Sequence, residues 1–96
     1  MRQITADAVR AFNNNQTFKR SNTEVRISEW GETQLYLHGN LIAYVSTSGM
    51  FISHGGWPTV TTKERLNGLS GVSVVQKDWV WFLNGSPWGG EWIKVN

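Results

Sequence analysis

Several residue types that carry common protein chemistry are missing or scarce in this sequence. It has no cysteine, which excludes disulfides, thiolate metal sites and a cysteine nucleophile. Its two histidines, His38 and His54, are too few for a histidine-rich metal cluster. No apolar run approaches the roughly 20 residues that span a bilayer. Residues 1–10 lack the apolar segment of a signal peptide. The sequence therefore predicts a soluble protein with no metal, no cofactor and no membrane contact.

Tryptophan, in contrast, is in excess, with six in a chain of 96 residues. A domain of this size buries only about 60–68 per cent of its unfolded surface, and each large aromatic side chain can bury about 150–250 Å². We therefore expect one domain over residues 1–96 with most tryptophans in its core. Those assigned to the core or to a dimer contact are Trp79, Trp81, Trp88 and Trp92. Trp30 and Trp57 lie in turns, where exposed rings could stack on a nucleobase.

Apolar periodicity and turn residues predict the element order α-β-β-β-β-α-β-β-β. The first helix is expected to begin with Thr5 as its N-cap and to end at residues 13–15, and the second to begin with Thr61 as its N-cap. Strands are predicted at residues 23–28, 33–38, 41–46, 50–54, 72–76, 79–83 and 88–95, with hairpin turns at Gly39-Asn40, Lys77-Asp78 and Asn84-Gly85. The predicted fold is a single α+β domain. Its antiparallel meander sheet has six or seven strands and could curl into a small barrel, with two short helices. A homodimer is also predicted, because the strand at 79–83 is apolar on both faces.

Four segments of the chain resemble parts of a known group of proteins. They are FKRSNTEV (18–25), LYLHGNLIA (35–43), WPTVTTKERLNGL (57–69) and FLNGSPW (82–88). In this order they are similar to small proteins encoded by tailed bacteriophages. The resemblance implies a phage accessory protein in the bacterial host cytoplasm. Such a protein would occupy a host enzyme or blunt a host defence by binding rather than by catalysis, and the resemblance brings no catalytic residue with it.

Two basic elements are candidate anion sites. The net charge is only +2, but residues 1–26 hold five basic residues against two acidic ones. Lys19, Arg20 and Asn22 could contact phosphate, although a solvated loop would have the same composition. Thr61, Thr62, Lys63 and Arg65 could hold an anion where a helix begins. The alternative is a capping box closed by Glu64, with Lys63 and Arg65 in solvent. The spacing of a phosphate-binding loop is absent, which excludes a nucleoside triphosphatase of that type.

The two histidines are the remaining candidates. Imidazole can act as acid or base near neutral pH, and strand directions permit His38 and His54 to meet at one end of the sheet. The alternative is that both are ordinary strand-end and turn residues.

Three functions follow from these features. The first is a phage accessory protein that binds a host protein or a nucleotide-type ligand. The second is a nucleic-acid-binding module that uses the basic loop and exposed aromatic rings. The third is a small metal-independent nuclease built on His38 and His54. No catalytic motif supports the third, so an enzyme is the less favoured interpretation.

Overall fold

The computed structural model describes all residues from 1 to 96. In chain order the elements are α1 (Gln3–Asn13), β1 (Phe18–Arg20), β2 (Thr23–Ile27), β3 (Thr33–Leu37), β4 (Asn40–Ser46), β5 (Gly49–Ile52), α2 (Val60–Leu66), β6 (Val74–Lys77), β7 (Val80–Leu83), β8 (Ser86–Pro87) and β9 (Ile93–Lys94). Neither helix is long and apolar enough to cross a bilayer.

Two antiparallel sheets make up the strand content. The larger has six strands in the order β1-β2-β3-β4-β5-β9, and the smaller has three in the order β6-β7-β8. The predicted α+β class, with its antiparallel sheet and two short helices, is confirmed. The larger sheet stays open, with β1 and β9 as its edges, so it does not form the barrel considered from the sequence.

One face of the larger sheet, called here the inner face, builds the core. Val25 and Leu35 lie opposite each other on β2 and β3, and both are buried. Val9 and Phe12, the residues expected to dock the first helix, are buried as α1 packs over β1, β2 and β3. Because strand side chains alternate between faces, the intervening residues form an opposite, outer face.

A change of register between β3 and β4 shapes one end of the core. The pairing shifts between Leu35 and Tyr36, as a β-bulge would make it, and both Ile42 and Ala43 are buried. The second helix, α2, contacts β4 and β6 and so joins the two sheets. Leu66 at its end is fully buried, as expected.

Both helices begin earlier than predicted, α1 by three residues and α2 by two. Thr5 was expected to cap α1, but it lies inside the helix and is fully buried. The N-cap of α2 is Thr59, whose hydroxyl accepts a hydrogen bond from the Thr62 N–H, so the assignment of Thr61 as cap is also wrong. Thr62 is fully buried.

Two hairpin turns lie one residue away from their predicted positions. His38 and Gly39 both have positive φ, as do Asp78 and Trp79, which is the pattern of a type I′ turn. Trp79 therefore leaves the strand face on which it was expected.

The shift of the second turn exposes Trp79 at 93 per cent, and Trp92 is exposed at 45 per cent. Trp81 and Trp88 are buried and Trp30 and Trp57 are exposed, as expected. For Trp79 and Trp92 the assignment to the core is wrong, and the alternative of a dimer contact stays a prediction.

Candidate ligand-binding cavity

A cavity of about 450 Å³ opens where β3 turns into β4 and α2 begins. Its lining residues are Leu37, His38, Asn40, Ile42, His54, Trp57, Thr59, Thr61 and Thr62. Five of them were separate candidates in the sequence: His38, His54, Trp57, Thr61 and Thr62. The structure brings these five together, in a volume within the range of about 300–1,000 Å³ that is common for small-ligand sites.

Backbone contacts fix the His54 ring beside this cavity. The ring Nδ1 accepts a hydrogen bond from the Gly56 N–H at 2.9 Å, and the ring meets Trp81 edge-on with centroids 5.9 Å apart. Gly90, at φ +89°, lies so close that a Cβ there would overlap the imidazole. Because Nδ1 accepts, the neutral ring carries its hydrogen on Nε2, which has no partner within the chain.

A side-chain amide orients His38 in the same way. The Asn22 Oδ1 accepts from the Thr23 hydroxyl at 2.9 Å and from the Arg65 guanidinium at 3.4 Å, so its Nδ2 faces outward. That Nδ2 lies 3.3 Å from the His38 Nε2 and donates to it. The neutral His38 ring therefore carries its hydrogen on Nδ1, which is free to donate. Asn22, a predicted phosphate contact, thus acts in the structure as a partner of His38.

The threonines of the cavity divide into occupied and free groups. Thr59 caps α2, and the Thr62 hydroxyl donates to the Trp57 carbonyl at 2.7 Å. The Thr61 hydroxyl makes no hydrogen bond within the chain and is therefore available to a ligand. Asn40 uses its side-chain nitrogen in a long contact of 3.4 Å to the His38 carbonyl, which leaves its side-chain oxygen free.

Trp57 forms an apolar wall at the mouth of the cavity. Its side chain is 59 per cent exposed, and its backbone N–H donates to the His54 carbonyl at 3.0 Å. Leu37 and Ile42 supply the remaining apolar lining. The cavity therefore pairs one exposed indole with a small set of unused donors and acceptors.

The cations predicted beside Thr61 and Thr62 do not line the cavity. Lys63 points away, where its Nζ donates to the Gln76 Oε1 at 2.7 Å and lies 5.6 Å from the Trp81 ring centroid. Arg65 is only 1 per cent exposed, so the alternative that placed it in solvent is wrong. Its guanidinium donates to the hydroxyls of Thr23 and Thr5, each at 2.9 Å, and pairs with Glu64. The predicted anion site at the start of this helix is therefore not assembled.

The carboxylate of Glu64 sits between α1 and α2. Burial raises its pKa, but hydrogen bonds from the Thr5 hydroxyl, the Arg2 N–H and Arg65 outweigh that effect. The net pKa of Glu64 is lowered, as expected for a carboxylate held in its charged form.

The other predicted basic element also separates, because neighbouring residues of a strand point to opposite faces. Arg20 turns toward α1, where it pairs with Asp7 at 2.7 Å. Lys19 lies on the outer face, opposite Glu24 on β2. Trp30, 85 per cent exposed in the turn before β3, lies outside the cavity as well.

Of the four lining residues that were not sequence candidates, Leu37 and Ile42 are apolar and Asn40 and Thr59 are polar. Asn40 was assigned to a turn and Thr59 was overlooked, because the caps and turns nearby were placed one or two residues away. Thr59 stands immediately before the apolar Val60, and a threonine in that place is the signal that could have found the cap.

Comparison with known proteins gives one match. A family model described as "Kyanoviridae Gp96 protein" matches residues 1–95. No curated protein and no solved structure matches the chain.

Proposed function

Because the chain belongs to the Kyanoviridae Gp96 protein family and is thus a bacteriophage protein, we propose that it is a phage accessory protein that binds a nucleotide-type ligand in the host cytoplasm. The observation that carries this proposal is the pair of imidazoles in one cavity. Each has one ring nitrogen occupied by the protein, Asn22 for His38 and Gly56 for His54, and a free N–H on the other.

The lining indicates the chemistry of the ligand. Trp57 offers a ring on which a base can stack, a contact worth about 1–3 kcal/mol. Two imidazole N–H groups and the Thr61 hydroxyl suit the oxygens of a sugar phosphate. No lysine or arginine lines the cavity, so a nucleoside or nucleoside monophosphate fits better than a triphosphate.

The proposal is tested by NMR titration of the ¹⁵N-labelled protein with the common nucleosides and their 5′-monophosphates. We expect shifts at His38, His54 and Trp57 with at least one of them. Trp57→Ala should weaken that binding by roughly fivefold or more, from the stacking energy lost. Thr61→Val should weaken it as well.

Trp30→Ala is the matched control, since it removes another exposed turn tryptophan outside the cavity. It should leave binding unchanged. If no cavity resonance moves at millimolar ligand, the proposal is wrong. Cleavage of an added oligonucleotide by the wild type, abolished in His38→Ala and His54→Ala, would favour the nuclease alternative.

A host protein is the second candidate ligand, favoured by Trp79. This side chain stands at a hairpin tip, 93 per cent exposed and at a φ of +68°, which a bulky residue rarely adopts. Exposed tryptophans are common anchors of protein interfaces. A host protein captured by the wild type and by Trp30→Ala, but not by Trp79→Gly, would support this candidate. Equal capture by all three would exclude Trp79 as its anchor.

A further inference from the structure

A second surface with binding chemistry lies on the outer face of the larger sheet. One row crosses five strands through directly paired residues: Arg26, Gln34, Tyr44, Phe51 and Lys94. Neighbouring strands lie about 4.8 Å apart, so the row is roughly 19 Å long. The helices pack on the inner face, whose residues are buried, so the row is left without a covering element.

Aromatic rings occupy the middle of this face. Tyr44 and Phe51 stack with centroids 5.0 Å apart, and Trp92 meets Tyr44 edge-on at 5.2 Å. Tyr36 lies nearby on β3, with the Arg26 guanidinium 4.2 Å from its ring centroid. The solvated face of an antiparallel sheet is ordinarily polar, so this concentration of rings indicates a surface for binding.

Charge is arranged around the rings. Arg26 pairs with Glu24 at 2.9 Å, and Glu32 lies 3.4 Å from the Gln34 side chain. Lys19 and Lys94 have no carboxylate within ion-pair distance, and they lie on the opposite edge strands β1 and β9. The lysines at the edges could pair with the phosphates of a nucleic acid, and the rings between them could stack on its bases.

We propose that this outer face binds single-stranded nucleic acid, with unpaired bases stacking on the aromatic rings and phosphates reaching Lys19 and Lys94. Stacking requires bases that are not already paired, so a duplex fits the face poorly. This site is separate from the cavity, whose residues line the opposite side and one end of the sheet.

The test is fluorescence anisotropy with short labelled oligothymidylate, oligouridylate and a duplex of equal length, at several salt concentrations. The single strands should bind and the duplex should bind more weakly. Two phosphate contacts predict a slope of log K against log salt near −1.4, at about −0.7 per contact on a single strand. Lys19→Gln and Lys94→Gln should each reduce the slope by about half.

Ring substitutions test the stacking. Phe51→Leu and Trp92→Leu keep apolar area but remove a ring, and each should weaken binding roughly fivefold or more. The matched controls are Lys77→Gln, which removes an exposed lysine on the small sheet, and Trp30→Ala. Both controls, and the cavity variant Trp57→Ala, should bind as the wild type does. Circular dichroism of every variant verifies that it is folded.

Three outcomes would overturn the proposal. They are no binding of either single strand at low salt, binding undiminished in folded Phe51→Leu and Trp92→Leu, and equal binding of duplex and single strand. A dimer seen by analytical ultracentrifugation and dissociated by Trp92→Leu, together with no oligonucleotide binding, would identify the face as an interface between copies.

Discussion

Replacing Arg65 by methionine should destabilise the protein, and the contacts of the buried guanidinium determine by how much. Methionine keeps an unbranched apolar stem and removes the guanidinium. Both threonine partners retain another bond, because Thr5 also donates to Glu64 and Thr23 also donates to the Asn22 Oδ1. The main cost is therefore Glu64 left charged without its cation. The Glu64 side chain is 24 per cent exposed, so water partly compensates its charge. We therefore expect the free energy of unfolding to fall by about 2–3 kcal/mol, at or below the low end of the range for fully buried pairs.

Removing the other partner should cost more. Glu64→Gln leaves the Arg65 guanidinium charged and without its carboxylate, and the Arg65 side chain is only 2 per cent exposed. We therefore expect the free energy of unfolding to fall by about 3–5 kcal/mol. The double variant Glu64→Gln/Arg65→Met should lose less than the sum of the two single changes, because neither charge is then left alone.

Urea unfolding followed by circular dichroism measures these differences, and thermal unfolding supplies a check. For Arg65→Met the midpoint should fall by roughly 10–20 °C, at about 4–8 °C per kcal/mol for a domain of this size. Strict additivity of the two single variants would refute the coupling. A loss under about 1 kcal/mol for Arg65→Met would refute the assignment of Arg65 as a buried structural cation.

Two further predictions concern the Asp78-Trp79 turn and acid stability. Trp79→Gly should stabilise the protein by about 0.5–1 kcal/mol in urea unfolding, because relief of left-handed backbone strain exceeds the chain entropy that glycine loses; a destabilised variant would mean that the indole makes contacts on its own chain. The pKa of Glu64 is lower in the folded protein than its value near 4.5 in the unfolded chain. Its charged form therefore stabilises the fold fully above pH 4.5, and this contribution is lost as the pH falls through the pKa of the folded protein. The wild type should therefore lose its advantage over Glu64→Gln in acid, and an unchanged difference down to pH 2 would contradict this sign.

The order of the two helices and of the four strands β2 to β5 followed from the sequence, because alternation and turn residues are local signals. The strands of the meander were placed to within two residues, and Val9 and Phe12 were correctly assigned to the docking face of α1. The turn at Gly39 was displaced because glycine fits either central turn position, and only pairing across β3 and β4 selects one of them. The brief strands β1 and β8 were missed, since three and two residues give too little alternation to detect, and the strand predicted at 88–95 is only Ile93–Lys94.

The cavity was predicted only in parts, since its assembly depends on contacts between distant segments. His38 and His54 lie 16 residues apart, and the alternation of each strand says nothing about the bulge that buries Ile42 between them. Arg65 was misplaced for a related reason. A charged side chain is by default expected in solvent, and it is buried here because Thr5, Thr23 and Glu64 converge from three different elements.

The abundance of tryptophan first suggested a core built from these rings, but most of them are not buried. A small domain without disulfides needs buried area, yet only Trp81 and Trp88 are buried, and the core is otherwise mainly aliphatic. The other four are exposed by 45 to 93 per cent: Trp30, Trp57, Trp79 and Trp92. An exposed indole adds little to folding, so stability gives no reason for four of them. Three lie at the surfaces that we propose for binding: Trp57 at the cavity, Trp92 on the outer face and Trp79 on a strained turn. Burial therefore explains only two of the six tryptophans, and the binding that we propose would give three of the others a role.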